Sequence, residues 1–363
     1  MLFPVLFNNF IAKNNIMKII KCHIYTLLLL IFLTASVFSQ TIEDSVAIKS
    51  KTVVRSAKLD GVIKTKAEMS TEAGVVRFNV RNSRIGVRGN ITDYLAYRLQ
   101  VELSNEGAFA PLDLHGILKP AKNLSFLFGQ LHIPFENNYI ITPSEMMFAN
   151  RAFVGKYFTP GSRDIGAVVQ YKFHIGSFPM EGQAGMFNGG RINDPQWTKN
   201  PSFACRLIAG DMDGFRSSAK IYKYNSARQA DLLLLGADFH YAKNNLCIQA
   251  ELMNRNLKTD NSNLLGTYIQ GEYAIGLPKA KMFHCLTPAI RWDAMGYDVW
   301  NSAFDVYRVT AGINFGLTYI YDSVLRIDYE HYFMDKNKGF SEFDNRDLHV
   351  TDNKVTVELV VKF

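Results

Sequence analysis

The sequence predicts an all-β fold: a transmembrane antiparallel β-barrel of sixteen strands, with one loop folded into the lumen. Three observations predict it. An apolar segment of export type lies near the N-terminus, a period-two alternation runs from residue 58 onward, and the last alternating strand ends in Phe363. Composition alone is less informative. The 363 residues carry 40 Lys plus Arg against 33 Asp plus Glu, a net charge of +7, with 48% hydrophobic and 13% aromatic residues. Such aromatic content excludes a disordered chain. So mild a positive charge, with no concentrated basic tract, argues against nucleic acid as a partner.

The first element is residues 24–38, an apolar run preceded by Lys18 and Lys21 and followed by the small residues Ser36 and Ser39. A basic flank, an apolar core and a small-residue exit describe a cleavable signal peptide, with cleavage after Ser39 or Gln40. The alternative is a single spanning helix, which needs about 20 apolar residues. Residues 1–16 read as an extension upstream of Met17. The expected organisation is therefore 1–40 as extension and signal peptide, 41–57 as a short N-terminal segment, and 58–363 as the barrel. Removing residues 1–40 takes away Lys13, Lys18 and Lys21 and leaves 37 basic against 33 acidic residues, a charge of +4. Cys22 leaves with the signal. Cys205, Cys247 and Cys285 remain, an odd number without metal-type spacing, so neither a disulfide framework nor a metal site is expected.

The strands follow. Alternation makes one face of a strand apolar and the other polar. It marks strands near 58–69, 75–91, 94–103, 112–118, 124–131, 163–173, 180–187, 201–210, 216–224, 230–241, 245–256, 264–275, 281–293, 304–316, 323–334 and 354–363. In the last, Val355, Val357, Leu359, Val361 and Phe363 oppose Lys354, Thr356, Glu358 and Lys362. A soluble β-sandwich shares this period, but there the charged face meets water outside. In a barrel the apolar face meets lipid and the charges line the lumen. Strands of about ten residues suit a tilted crossing of the bilayer. Aromatics at strand ends (Tyr94, Phe173, Phe304, Tyr332, Phe333) suit its interfaces. A barrel also leaves no open sheet edge in lipid.

With that phase the lumen carries fifteen basic against ten acidic side chains. Arg77, Arg81, Arg84 and Arg88 gather on one strand, with Arg98 on the next. Val76, Phe78 and Val80 set one phase and Ile85, Val87 and Ile91 the other, so a β-bulge is expected near Asn82 and Ser83. Rows of Arg favour anions in a pore; the same arginines could equally pair with lumen acids and brace the wall. Residues 132–162 break the alternation with Pro134, Pro143 and Pro160, an apolar set including Ile140 and Phe148, and the basic residues Arg151 and Lys156, with Arg163 just beyond. So long an irregular segment is usually functional. Its apolar content favours an infolded constriction loop over a surface loop.

At these residues the chain resembles the phosphate-selective porins of O and P type. The likeness is carried by Ser83-Arg84-Ile85-Gly86-Val87-Arg88-Gly89, by Tyr97-Arg98-Leu99-Gln100-Val101-Glu102 and by Phe128-Gly129-Gln130-Leu131-His132-Ile133-Pro134-Phe135-Glu136. Ala149-Asn150-Arg151-Ala152-Phe153, Pro160-Gly161-Ser162-Arg163-Asp164-Ile165-Gly166 and Gly185-Met186-Phe187-Asn188-Gly189 complete it, within roughly residues 75–190. The resemblance implies a bacterial outer-membrane channel, homotrimeric and sixteen-stranded, with an arginine-rich anion path and an infolded constriction. His132 stands where that family more often has Lys.

The expected function is thus a porin for passive diffusion of small solutes, with anion and possible phosphate preference, its partners being small anions, the lipid bilayer and two further copies. The rivals are a surface receptor or adhesin on a plugged barrel and an outer-membrane enzyme. Neither P-loop, HExxH, CxxC pair nor GxSxG is present, so no catalytic residue and no cofactor is expected.

Overall fold

The computed structural model describes residues 56–137, 141–142, 145–226, 231–258, 262–318, 323–335, 340–343 and 349–363. The expected signal peptide, residues 41–55, Ile140 and Pro143 lie outside the described residues. The chain runs through β1 (Lys58–Ser70), β2 (Val76–Val80, continuing as Ser83–Asn90), β3 (Leu95–Asn105), β4 (Ala108–Ala121) and β5 (Leu124–His132). After the long loop come β6 (Arg163–Ile175), β7 (Phe178–Phe187), β8 (Ser202–Gly210), β9 (Phe215–Tyr224), β10 (Leu232–Lys243) and β11 (Leu246–Leu257). The last five are β12 (Asn263–Tyr273, continuing as Ile275–Gly276), β13 (Phe283–Tyr297), β14 (Val306–Leu317), β15 (Val324–Met334) and β16 (Lys354–Lys362). Each predicted strand has its counterpart.

Every neighbour pair is antiparallel, and β16 returns to β1 from Val62 opposite Lys362 to Ser70 opposite Lys354, closing a sixteen-stranded barrel. Closure satisfies both edge strands, which lipid could not do. At the seam Gly61 exchanges backbone hydrogen bonds with Phe363 at 2.8 and 3.0 Å, and the Phe363 ring covers the position a Gly61 side chain would take. The bulge in β2 lies where the phase change predicts it. Thr65 of β1 faces Val80 and Val62 faces Arg84, so three steps of β1 match four of β2. Asn82 takes a positive φ of 54°, a conformation Asn tolerates better than most residues. Both halves of β2 thereby keep their arginines on the inner side.

The two rims differ. Turns such as 122–123, 176–177 and 244–245 close one rim. The ends at which β5, β7 and β15 finish and β6, β8 and β16 begin belong to the other. On β14–β16 the faces divide cleanly. Arg308, Thr310, Arg326, Asp328, Glu330, Thr356 and Glu358 are buried inside, while Ile313, Ile327, Tyr329, Val357 and Leu359 are exposed outside. That inverts a soluble protein and suits a lipid surround. Tyr332, expected at the membrane interface, instead faces inward: Arg308 NH1 donates to its hydroxyl at 3.1 Å and it stands 6.0 Å from the Phe153 ring. It shares the inward parity of Glu330, and a buried guanidinium offers its hydroxyl a partner that lipid would not.

From β5 to β14 an apolar layer of the lumen wall lies beside buried polar side chains. Leu131, Val168, Phe187, Ala204, Tyr222, Leu234, Met253, Tyr268, Met295 and Val306 project inward and form one core with Ile133, Phe135, Phe153, Val154, Tyr157 and Phe158 of the long loop. The loop is therefore folded into the barrel. Each fully buried Phe or Val contributes about 1.5–3 kcal/mol toward the docked state. The loop carries a single-turn helix, α1 (Val154–Tyr157), packed close to β12 at Gly266, where any side chain would strike Phe158 and Val154. Phe340 and Phe343 of the 335–353 segment cap the same core.

Candidate functional site

Besides the apolar packing, polar anchors hold the loop to the wall. Lys64 Nζ donates to the Ala149 carbonyl at 3.1 Å and Arg291 NH1 to that of Asn150 at 2.9 Å. Arg308 NH2 reaches the Arg151 carbonyl at 2.8 Å, and Asn314 that of Met147 at 2.9 Å. In return the Ala149 amide donates to Asp328 at 2.6 Å and the Phe153 amide to Asp293 at 2.9 Å. Arg291 lies over the Phe148 ring at 4.7 Å and Arg308 over Phe153 at 4.5 Å. The wall charges of β1, β13, β14 and β15 thus serve as sockets for the loop backbone. A second network lies under the start of the loop. Arg206, Lys220, Asp238 and Glu251 are buried together, and Arg206 NH2 donates to Asn137 Oδ1 at 2.6 Å. Burial, with Glu251 nearby, holds the Glu136 carboxyl well above the usual carboxylate range. The Thr159 hydroxyl donates to it across the loop.

Between the loop and the wall of β1–β4 and β14–β16 lies a cavity of about 810 Å³. It reaches toward the long-loop rim at Val75, Glu106, Arg191 and Val350 and extends inward to Lys64, Arg84 and Arg163. Ten basic side chains line it (Lys64, Arg77, Arg81, Arg84, Arg151, Lys156, Arg163, Arg191, Arg308, Lys354) against four acidic ones (Glu68, Glu102, Glu106, Glu330). This balance is more basic than the fifteen to ten of the predicted lumen as a whole.

The structure brings six of the eight predicted site residues to this cavity: Arg77, Arg81 and Arg84 from β2, Arg151 and Lys156 from the loop, and Arg163 from β6. Arg88 and Arg98 lie outside it, toward the short-turn rim, where Arg88 opposes Arg98 and Lys58 in the ladders. Arg98 makes a two-point pair with Asp60, one arm at 2.8 Å. Wall-bracing also describes Arg84, whose Nε meets Glu102 at 3.1 Å, and Arg163, held by Asp113 at 2.6 and 3.2 Å. Arg77 meets Glu68 at 2.8 Å.

Three cations are held more loosely. Arg81 reaches Glu106 only at 3.9 Å, and its Nε has no acceptor among the described residues. Lys354 donates to the carbonyls of His349 and Val350 at 3.1 and 3.2 Å rather than to a carboxylate. Lys156 sits 5.1 Å from the Tyr157 ring, with no carboxylate within salt-bridge distance among the described residues. Burial, and then the charges of Arg81, Arg308 and Lys354, press its ammonium down to about 7. A group so poised gains most from a bound anion, because the anion stabilises its charged form.

Sequence reasoning did not assign an inward phase to Arg206, Lys220 or Asp238, although Arg206 between Cys205 and Leu207, and Lys220 between Ala219 and Ile221, carry the same alternation as the other strands. Arg191, in a non-alternating loop, had no such signal. The three remaining cysteines are free thiols.

No protein-family model matches the chain, and no curated protein does. Among solved structures the barrel is similar to OmpF of Salmonella typhi in complex with daunomycin, with a TM-score of 0.61 and 16% identity over 85% of this chain and 97% of that one. The outer-membrane channel DcaP of Acinetobacter baumannii gives 0.57 and 15%, covering 87% and 99%. The trimer form of OmpT, an outer-membrane protein of Vibrio cholerae, gives 0.55 and 12%, covering 85% and 99%. At such identities the likeness is one of fold. The fold is a closed sixteen-stranded antiparallel barrel of the porin type.

Proposed function

We propose that the protein is a bacterial outer-membrane porin, allowing passive diffusion of small solutes with a preference for anions. The observation that carries this reading is the cavity beside the infolded loop, where ten cations face four carboxylates and Arg81, Lys156 and Lys354 are only loosely compensated. A low-dielectric wall lined by one sign of charge concentrates counter-ions, and Arg and Lys rows select anions in pores. The fold shared with OmpF and DcaP supports a channel, and the trimer form of OmpT supports assembly as a homotrimer. Phosphate preference rests on the resemblance of residues 75–190 to phosphate-selective porins. On this reading the long-loop rim faces outside the cell, and the loop packing leaves a narrow path of small conductance.

The experiment is reconstitution in a planar bilayer with a KCl gradient. Steady conductance with a reversal potential displaced toward chloride is the expected result. Absence of steady conductance overturns the porin reading, and a displacement toward potassium overturns the anion preference. Added phosphate then tests the finer claim: block at lower concentration than sulfate supports it, and equal block does not.

A further inference from the structure

The cavity is far larger than an inorganic anion needs and is not uniformly polar. Its volume of about 810 Å³ falls in the range that encloses drug-sized organic ligands. Besides the loosely held cations, Leu112 of β4, Pro160 at the end of the loop and Ile192 of the 188–201 segment bring apolar surface to its lining. This flank is held in place. Asn193 donates from its amide to Gln130 at 2.6 Å and from its side chain to the Pro111 carbonyl at 3.1 Å, fixing the neighbouring Ile192 against β4 and β5. Arg81, Lys156 and Lys354 line the same cavity from β2, α1 and β16. A strongly hydrated small anion gains nothing from the apolar lining, whereas an anion with an apolar body is matched by both kinds of side chain.

We propose that this cavity is a binding site for organic anions that carry an apolar body beside one or more carboxylate or phosphoryl groups, held more tightly than inorganic phosphate. The acidic group lies toward Arg81, Lys156 and Lys354, and the apolar body lies against Leu112, Pro160 and Ile192. The assignment deepens the porin reading, on which it relies for the passage of the solute but not for its binding.

Binding and conduction are therefore measured separately. Isothermal titration of the detergent-solubilised full chain compares 2,6-naphthalenedicarboxylate, succinate and inorganic phosphate. The aromatic dianion binds about tenfold more tightly than succinate, from the roughly 55 Å² of ring face that three apolar side chains can cover. Ile192→Asn narrows that ratio, which a dianion partitioning into the micelle would not show. Lys156→Gln weakens both dicarboxylates. Equal affinity for the two, or a ratio untouched by Ile192→Asn, overturns the proposal. A protein that shows the ratio yet gives no conductance in the bilayer keeps the site and loses the porin reading. One that conducts anions but shows no ratio does the reverse.

Discussion

Arg308 is the residue on which the position of the constriction loop depends most directly. It is 3% exposed and sits at the centre of a buried cluster. Its Nε and NH2 meet Asp293 at 3.0 and 2.6 Å, NH1 meets Glu330 at 2.9 Å, and NH2 also donates to the Arg151 carbonyl at 2.8 Å. Asp293 in turn accepts the Phe153 amide, and the guanidinium lies against the Phe153 ring. Arg308→Ala leaves two buried carboxylates short of their principal cation, with Arg291 at 3.8 and 3.6 Å as the residual partner. Removing one member of a buried pair costs about 3–5 kcal/mol. The barrel ladders do not depend on this side chain, so the loss falls on loop docking. At about 1.4 kcal/mol per tenfold, the docked loop loses at least about a hundredfold in population relative to the released one. The assays are single-channel conductance and trypsin cleavage after Arg151 and Lys156 in folded protein. Conductance rises and cleavage accelerates. Wild-type values for both would refute the claim that this cluster holds the loop.

Three further outcomes follow from the same geometry. Lys156, with its ammonium pressed to about 7 by burial and by Arg81, Arg308 and Lys354, is charged below that pH and neutral above it, so anion preference rises as pH falls from 8 to 6. Reversal potentials across this range measure the effect, and Lys156→Gln removes the dependence; an unchanged dependence in that variant assigns it to another group. Arg84→Ala lowers anion preference more than Arg88→Ala, because Arg84 borders the cavity and its loss leaves the Glu102 carboxylate there uncompensated, whereas Arg88 lies near the short-turn rim. Equal effects on reversal potential would contradict the placement of the path. Gly61→Val clashes with the Phe363 ring at the closing seam and reduces the yield of heat-modifiable folded barrel on electrophoresis; refolding at wild-type yield would show that the ring moves aside freely.

Much of this architecture was legible before any coordinates. A period of two is local information: each strand records which of its faces meets lipid, and runs such as residues 354–363 record it without interruption. The bulge in β2 was legible for the same reason, because Phe78 and Ile85 cannot share a face without an extra residue between them. The composition of 132–162 pointed to infolding, since an apolar set such as Met146 to Phe148 needs cover. The cover itself was not legible. Tyr222, Tyr268 and Met253 read as ordinary members of alternating strands, and only their convergence on one loop makes them a core inside a barrel.

The fold class and the order of the strands were thus determined by the sequence alone, because alternation is written residue by residue along each strand; bounds such as those of β4, expected at 112–118 and found at Ala108–Ala121, were not. Which arginines brace and which remain available was decided by the tertiary structure. Charge type is a property of one residue, but compensation is a property of a pair. Arg84, Arg98 and Arg163 find Glu102, Asp60 and Asp113 at distances no spacing rule contains. Lys156 finds no carboxylate among the described residues, and that difference exists only once the barrel has closed around the loop.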